Sequence, residues 1–148
     1  MSESTGYTES LKSEARKVGA DPLRAEVWDA FSEFFLDTEQ SEEDLNWIAG
    51  RIADSPFSYR ELGHILFKEV GPVCVGNLYV LPGGVWSGFA SDWLIPKCFD
   101  RQKKYPFRET ANLDEIPFLY HVLSPVFSDA YKMLLRVKGA RESAKQSS

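Results

Sequence analysis

The 148-residue sequence lacks the features that mark a membrane protein or a disulfide-bonded scaffold. No apolar run reaches the ~18 residues that suggest a transmembrane helix, and residues 1–20 contain no apolar signal-peptide segment. Only two cysteines occur, Cys74 and Cys98, and their spacing matches no C-x-x-C pattern. We therefore expect a cytoplasmic protein without a membrane partner, in which both thiols are reduced and buried.

Signatures of common catalytic sites are also missing. The sequence contains no G-x-x-x-x-G-K-[ST] phosphate loop, no G-x-G-x-x-G turn and no H-E-x-x-H metal motif. The two histidines, His64 and His121, stand apart from each other and from the cysteines, whereas metal sites usually contain a close pair of ligands. We predict no catalytic residue, no metal site and no cofactor, and we interpret His64 as a solvated residue on the polar side of its helix.

Two segments each lack almost all charge of one sign. Between Ala25 and Gly50 no lysine or arginine occurs, but there are eight acidic residues: Glu26, Asp29, Glu33, Asp37, Glu39, Glu42, Glu43 and Asp44. From Lys97 to Arg108 the balance is reversed, since this segment contains five basic residues and one acidic residue, Asp100. The net charge of −5 argues against nucleic-acid binding, which requires a basic surface.

The residues that are present indicate a mainly α-helical fold. Hydrophobic residues make up 43% of the chain, which is enough for a core. Asp21 with Pro22 predicts the start of one helix, whose apolar positions include Leu23, Val27, Phe31, Phe34 and Phe35. Ser41 and Ser58 each begin a capping box for the next two helices, and Gly71-Pro72 predicts the end of the second of these.

The remaining signals complete a compact single domain. Pro82-Gly83 between two short apolar runs predicts one β-hairpin near residues 78–89. A helical segment follows from Ser91 to about Gln102, bent near Pro96. Pro125 starts a final helix that Gly139 ends, with a broad apolar face that predicts a core position: Val126, Ala130, Met133, Leu134 and Val137. The domain spans residues 21–139, between a polar tail at 1–20 and another at 140–148.

Trp47 is the one large apolar residue that conflicts with its own helix. Leu45, Ile48, Ala49 and Ile52 form the apolar stripe of the Ser41 helix, and at about 100° per residue Trp47 lies nearly opposite them. Two interpretations remain open: Trp47 packs beneath a neighbouring segment, or it is an exposed anchor of a binding surface.

The chain resembles a family of small, uncharacterised bacterial proteins that carry a domain of unknown function. The resemblance covers about residues 27–94, through Val27-Trp28, Phe34 to Glu39, Ser55 to Tyr59, Glu61-Leu62, Glu69 to Cys74, Gly76 to Leu78, Gly84 to Phe89 and Asp92 to Leu94. These are mostly aromatic and capping residues. The resemblance implies a bacterial origin and no particular activity.

The function we expect is non-enzymatic protein binding through an acidic face, in an unknown oligomeric state. The contact residues would be Glu33, Asp37, Glu39, Glu43 and Trp47, and the partner would have a basic surface. In its specific form the protein is an immunity or inhibitor protein that neutralises a basic toxin or enzyme. Two alternatives stay open: a small enzyme whose site assembles Cys, His and carboxylates from distant positions, and a ligand-binding pocket of Trp86, Phe89 and Trp93.

Overall fold

A computed structural model describes residues 2–34, 41–74, 91–108 and 125–147. All regular structure in these ranges is helical, which confirms the mainly α class. The elements are α1 (Ser2–Val18), α2 (Pro22–Phe34), α3 (Glu42–Ala53), α4 (Tyr59–His64), a π-helical segment (Ile65–Val70), α5 (Ser91–Lys104) and α6 (Pro125–Ser147). The hairpin predicted near residues 78–89 lies outside the described residues and stays a prediction.

Helix α1 replaces the polar tail that was expected over residues 1–20. Leu11 and Ala15, one turn apart, are fully buried, and α1 packs on α2 and α5. The helix ends at Gly19, whose φ of 84° is accessible mainly to glycine. There the amides of Gly19 and Ala20 bond back to the carbonyls of Arg16 and Ala15, as in a Schellman motif. The prediction was wrong because one leucine and one alanine are a weak signal until neighbouring helices bury them.

Helix α2 begins as predicted and lies at the centre of the core. The Leu23 amide donates to Asp21 Oδ1 at 3.0 Å, which satisfies a free N–H of the first turn. Val27, Trp28 and Phe31 are buried. Leu23 is 44% exposed, contrary to its assignment to the apolar face, because it lies at the helix start beside an open cleft.

Helices α3 and α4 also begin at their predicted caps, since Ser41 Oγ accepts from Asp44 N and Ser58 Oγ accepts from Glu61 N. However, Gly71-Pro72 does not end the second of these helices. The chain passes from α4 into the π-helical segment and stays helical over residues 71–74. Pro72 has no N–H for the Lys68 carbonyl four residues earlier. Arg101 Nε donates to that carbonyl at 2.9 Å instead.

Helices α5 and α6 close the described core. Helix α5 contains Pro96 and buries Leu94, Ile95 and Cys98. Helix α6 starts at Pro125 as predicted, packs on α3 and buries Met133, Leu134 and Val137, while the side chains of Val126 and Ala130 lie outside the described set.

Helix α6 does not stop at Gly139, and residues 140–147 are helical rather than an irregular tail. Arg141 fixes this extension by donating to the carbonyl oxygens of Ala53, Ser55 and Phe57. The buried apolar side chains form one cluster, and no described helix is both long and apolar enough to cross a bilayer.

Candidate functional site

The exposed side of α3 is centred on Trp47. The capping box at Ser41 fixes where α3 starts, because Asp44 Oδ2 also accepts from the Ser41 amide at 3.2 Å. From that start Ile48 and Ile52 point into the core, while Glu43 and Trp47, one turn apart, point to solvent. Trp47 is 56% exposed, the largest exposure among the large hydrophobic side chains described. The structure thus shows Trp47 to be exposed, and its role as an anchor of a binding surface stays a prediction.

Arg51 joins Trp47 to the acidic side of α2. Its guanidinium carbon lies 4.9 Å from the centre of the Trp47 ring, which is within cation–π range. Its nitrogens lie 3.3 Å from Asp29 Oδ2 and 3.7 Å from Glu33 Oε1. Burial, reinforced by the nearby charge of Asp29 and opposed by Arg51, raises the pKa of Glu33. Glu33 and Trp47 therefore contact the same arginine.

A second arginine crosses the other flank of α3. Arg136 of α6 donates to Glu42 Oε2 at 3.0 Å and to Asn46 Oδ1 at 2.7 Å. The acidic segment is therefore not uniformly negative on the folded surface, because Arg51, directly after the segment, and Arg136, from α6, lie along its edges. Glu43 remains exposed between them. Asp37 and Glu39, the other predicted contact residues, lie outside the described part of the chain.

A shallow cleft of about 270 Å³ adjoins this surface between α2 and α3. Its lining residues are Leu23, Glu26, Val27, Arg51, Asp54, Ser55 and Pro56. The volume is below the roughly 300–1,000 Å³ of typical small-molecule sites. The cleft is therefore a shallow depression beside the α3 surface and is small for a pocket that encloses a ligand.

A buried polar network, which the sequence did not predict, lies on the opposite side of α2. Glu69, in the π-helical segment, is fully buried. Its two oxygens accept from Arg24 Nε at 2.9 Å, Arg24 Nη2 at 2.6 Å and Trp28 Nε1 at 2.8 Å. Arg24 also donates to Glu61 Oε2 at 2.5 Å, and its guanidinium lies over the Phe57 ring. Burial alone would lower the pKa of Arg24, but Glu69 and Glu61 outweigh that effect and raise it.

His64 belongs to the same network, so its interpretation as a solvated residue was wrong. It is only 4% exposed, and its Nε2–H donates to the Tyr105 carbonyl at 2.8 Å. Glu69 Oε2 lies 3.6 Å from the same nitrogen, and Phe107 packs edge-on against the ring. Burial lowers the pKa of His64, with Arg24 and Lys68 adding to that shift against the Tyr105 and Glu69 contacts. The hydrogen-bond partner of His64, the Tyr105 carbonyl, lies in the turn after α5. The helical periodicity around His64 gives no information about this partner.

The two thiols are buried and unpaired, as predicted. Burial raises the pKa of both Cys74 and Cys98. Since the thiolate is the reactive form, these thiols are held in an unreactive state. Within the ranges that the structure describes, no group of three His, Cys, Asp or Glu side chains could hold a metal ion. Trp86, Phe89 and His121 lie outside those ranges, while Trp93 packs half-buried against the core.

Comparison with known families gives one match. Residues 22–124 match a domain of unknown function, DUF7079. The chain belongs to this family. No curated protein and no solved structure matches the sequence. The DUF7079 region runs from α2 through α5 and contains every residue of the buried network around Glu69, as well as α3 with Trp47. Helix α1 and all of α6 lie beyond it.

The sequence did carry one signal of the buried network. Trp28, Phe57, Glu61 and Glu69 are among the residues on which the family resemblance rests. Their pairing with Arg24 was not visible, because 45 residues separate Arg24 from Glu69 and Arg24 lies outside the segments that carry the resemblance.

Proposed function

We propose that this protein is a protein-binding module and that the exposed side of α3, centred on Trp47, is its docking surface. The observation that carries the proposal is the 56% exposure of Trp47 on a helix whose opposite side is buried. An exposed tryptophan offers a large contact area and loses little side-chain entropy on binding, so tryptophan is enriched among interface hot spots. Arg51 lies over the ring, and this contact restricts the motion of the indole before binding.

The partner that fits this surface has a basic patch. Glu43 lies one turn before Trp47 and is exposed, and the net charge of the chain is −5. The proposal also counts Asp37 and Glu39 among the carboxylates that contact the partner. Carboxylates around a central aromatic residue accelerate association with a cationic protein, while the aromatic contact slows dissociation. Arg51 and Arg136 limit the acidic area and make the surface selective, since they repel a partner whose cations are misplaced.

In its specific form the proposal is an immunity or inhibitor protein of a bacterial cytoplasm. A basic toxin or enzyme that acts on an anionic substrate presents cations at its active site. The carboxylates of the α3 surface would occupy those cations and exclude the substrate.

The test is affinity capture from a lysate of the source organism with five matched baits. These are the wild-type chain, Trp47→Ala, Glu43→Lys, Gly50→Arg and Leu135→Ala. Gly50 lies one turn after Trp47 with open space around it, so an arginine there obstructs docking without a clash inside the domain. Leu135 is a 48% exposed apolar residue on α6 and serves as the control.

We expect one protein to be retained by the wild-type and Leu135→Ala baits and lost with Trp47→Ala and Gly50→Arg. With the purified partner, Glu43→Lys should slow association and weaken its dependence on salt. A partner retained equally by all five baits would place the docking surface elsewhere.

A further inference from the structure

Four cationic side chains, three on α5 and one on the π-helical segment beside it, form a row that is separate from the α3 surface. Lys97, Arg101 and Lys104 follow one another at helical spacing of four and then three residues. Lys68 of the π-helical segment extends the row, because Arg101 Nε bonds to the Lys68 carbonyl at 2.9 Å. We call Lys68, Lys97, Arg101 and Lys104 the basic stripe. Its three α5 members span about 10 Å along the helix axis.

The basic stripe differs in its partners from three arginines on α2, α3 and α6. Arg24, Arg51 and Arg136 each reach a carboxylate. Within the described ranges no carboxylate lies at ion-pair distance from a member of the stripe. The one acidic residue nearby on α5, Asp100, pairs with Lys103 at 3.3 Å, outside the stripe. The helix dipole of α5 explains basic residues only in the last turn of that helix. It does not explain Lys97, which lies in the middle of α5, or Lys68, which lies in another element.

The aromatic rings beside the stripe are covered by its cations. Lys68, Arg101 and Lys104 lie 5.6, 4.6 and 5.5 Å from the centre of the Tyr105 ring, and Lys97 lies 5.4 Å from that of Trp93. Single-stranded nucleic acids bind through stacking of bases on ring faces, and here the cations of the stripe already lie over the two rings. Membrane-surface helices need exposed apolar anchors, and the large ones described lie on other helices: Val18, Leu23, Trp47 and Leu135.

We propose that the basic stripe binds an acidic α-helix of another protein, one that carries carboxylates at i, i+4 and i+7. Such a helix repeats its charges over the same distance of about 10 Å and can pair with Lys97, Arg101 and Lys104 at once. Rows of opposite charge along two adjacent helices set partner choice and orientation in coiled coils. This site has the opposite charge to the α3 surface, lies on a different helix and does not depend on the function proposed above.

The test uses the full chain and two synthetic, alanine-based helical peptides. One carries glutamate at i, i+4 and i+7, and the other carries glutamine at the same positions. Binding is followed by NMR through the amide signals of α5, and a short thymidine oligonucleotide is a third probe. The stripe variant is Lys97→Glu with Lys104→Glu. Its control is Lys17→Glu with Lys103→Glu, which changes the net charge equally at two exposed lysines outside the stripe.

We expect the glutamate peptide to shift the α5 signals in a salt-sensitive manner and the glutamine peptide to leave them unchanged. The stripe variant should bind about tenfold more weakly or worse, because attraction becomes repulsion at two positions, while the control keeps most of the affinity. Equal losses in both variants would show a response to net charge alone and would overturn the proposal. So would tighter binding of the oligonucleotide, the absence of any binding, or salt-sensitive self-association that is lost in the stripe variant.

Discussion

Arg24 on α2 donates hydrogen bonds to both carboxylate oxygens of Glu69, a residue with no exposed surface. This pair ties α2 to the π-helical segment. Glu69→Gln would leave a buried guanidinium facing an amide that cannot accept all of its donors. Removal of one partner of a buried ion pair costs about 3–5 kcal/mol, and we expect a loss of unfolding free energy in that range. Urea denaturation of the variant measures it.

A double variant, Arg24→Met with Glu69→Gln, provides the control for that loss. The methionine removes the cation, and the oxygen of the introduced amide can still accept from Trp28, while Glu61, which also loses Arg24, is partly exposed to water. We expect the double variant to be more stable than the sum of the losses in Arg24→Met alone and Glu69→Gln alone predicts, by about 0.5–3 kcal/mol. Strict additivity would mean that Arg24 and Glu69 contribute separately and that the pair is not the unit of stability.

His64 should make stability depend on pH. Burial lowers its pKa in the folded state below the 6.5 that applies to an exposed histidine. As pH falls through about 6.5, the unfolded chain binds a proton that the folded chain does not, and the free energy of unfolding decreases. We therefore expect stability to decline between about pH 7 and pH 5. Denaturant titrations at several pH values measure the decline.

His64→Gln isolates this contribution, because glutamine can still donate to the Tyr105 carbonyl but does not titrate. The difference in unfolding free energy between the wild type and this variant should change across the same pH window. A constant difference would show that His64 has an unshifted pKa and that other groups cause any decline.

Two adjacent leucines of α6 should respond very differently to truncation. Leu134 is 3% exposed and packs in the core, whereas Leu135 is 48% exposed. Leu134→Ala should reduce the free energy of unfolding by about 2–5 kcal/mol, because it removes buried contacts and leaves a cavity. Leu135→Ala should change it by less than about 0.5 kcal/mol. Similar losses at both positions would mean that α6 does not pack as described.

Three glycines should separate into two groups when replaced by alanine. Gly50 and Gly139 lie inside helices with no atom within 4 Å of the position of an added Cβ. Alanine should stabilise the protein there by about 0.4–1 kcal/mol each, because it restricts the unfolded chain. Gly19 has a φ of 84°, so Gly19→Ala should be destabilising despite equal space. Thermal unfolding of the three variants distinguishes the outcomes, and a gain at Gly19 would contradict the described end of α1.

Features that depend on neighbouring residues in sequence could be predicted. The caps at Ser41 and Ser58 and the start at Pro125 follow from local hydrogen bonding and backbone geometry. The exposure of Trp47 follows from the helical period alone. The role assigned to the α3 surface remains a proposal, because a surface does not reveal its partner.

Features that depend on distant residues could not be predicted. Gly71-Pro72 is a sound local stop signal, but the helix continues past it, and the Lys68 carbonyl left without the Pro72 N–H accepts from Arg101 of another helix. His64 is buried because the chain after α5 brings the Tyr105 carbonyl to it. Likewise, Arg136, which borders the acidic segment, comes from α6, 94 residues after its partner Glu42.

The π-helical segment between Ile65 and Val70 determines which change of chain length the Arg24–Glu69 pair can tolerate. Each of its backbone bonds spans five residues instead of four, so the segment accommodates one residue more than an α-helix would. Deletion of a single residue there would restore α-helical geometry and leave the residues on either side in nearly the same orientation. Natural chains of this family that keep the Arg24–Glu69 pair should therefore place any one-residue gap between Glu61 and Glu69 inside this segment, whatever substitutions they have accumulated.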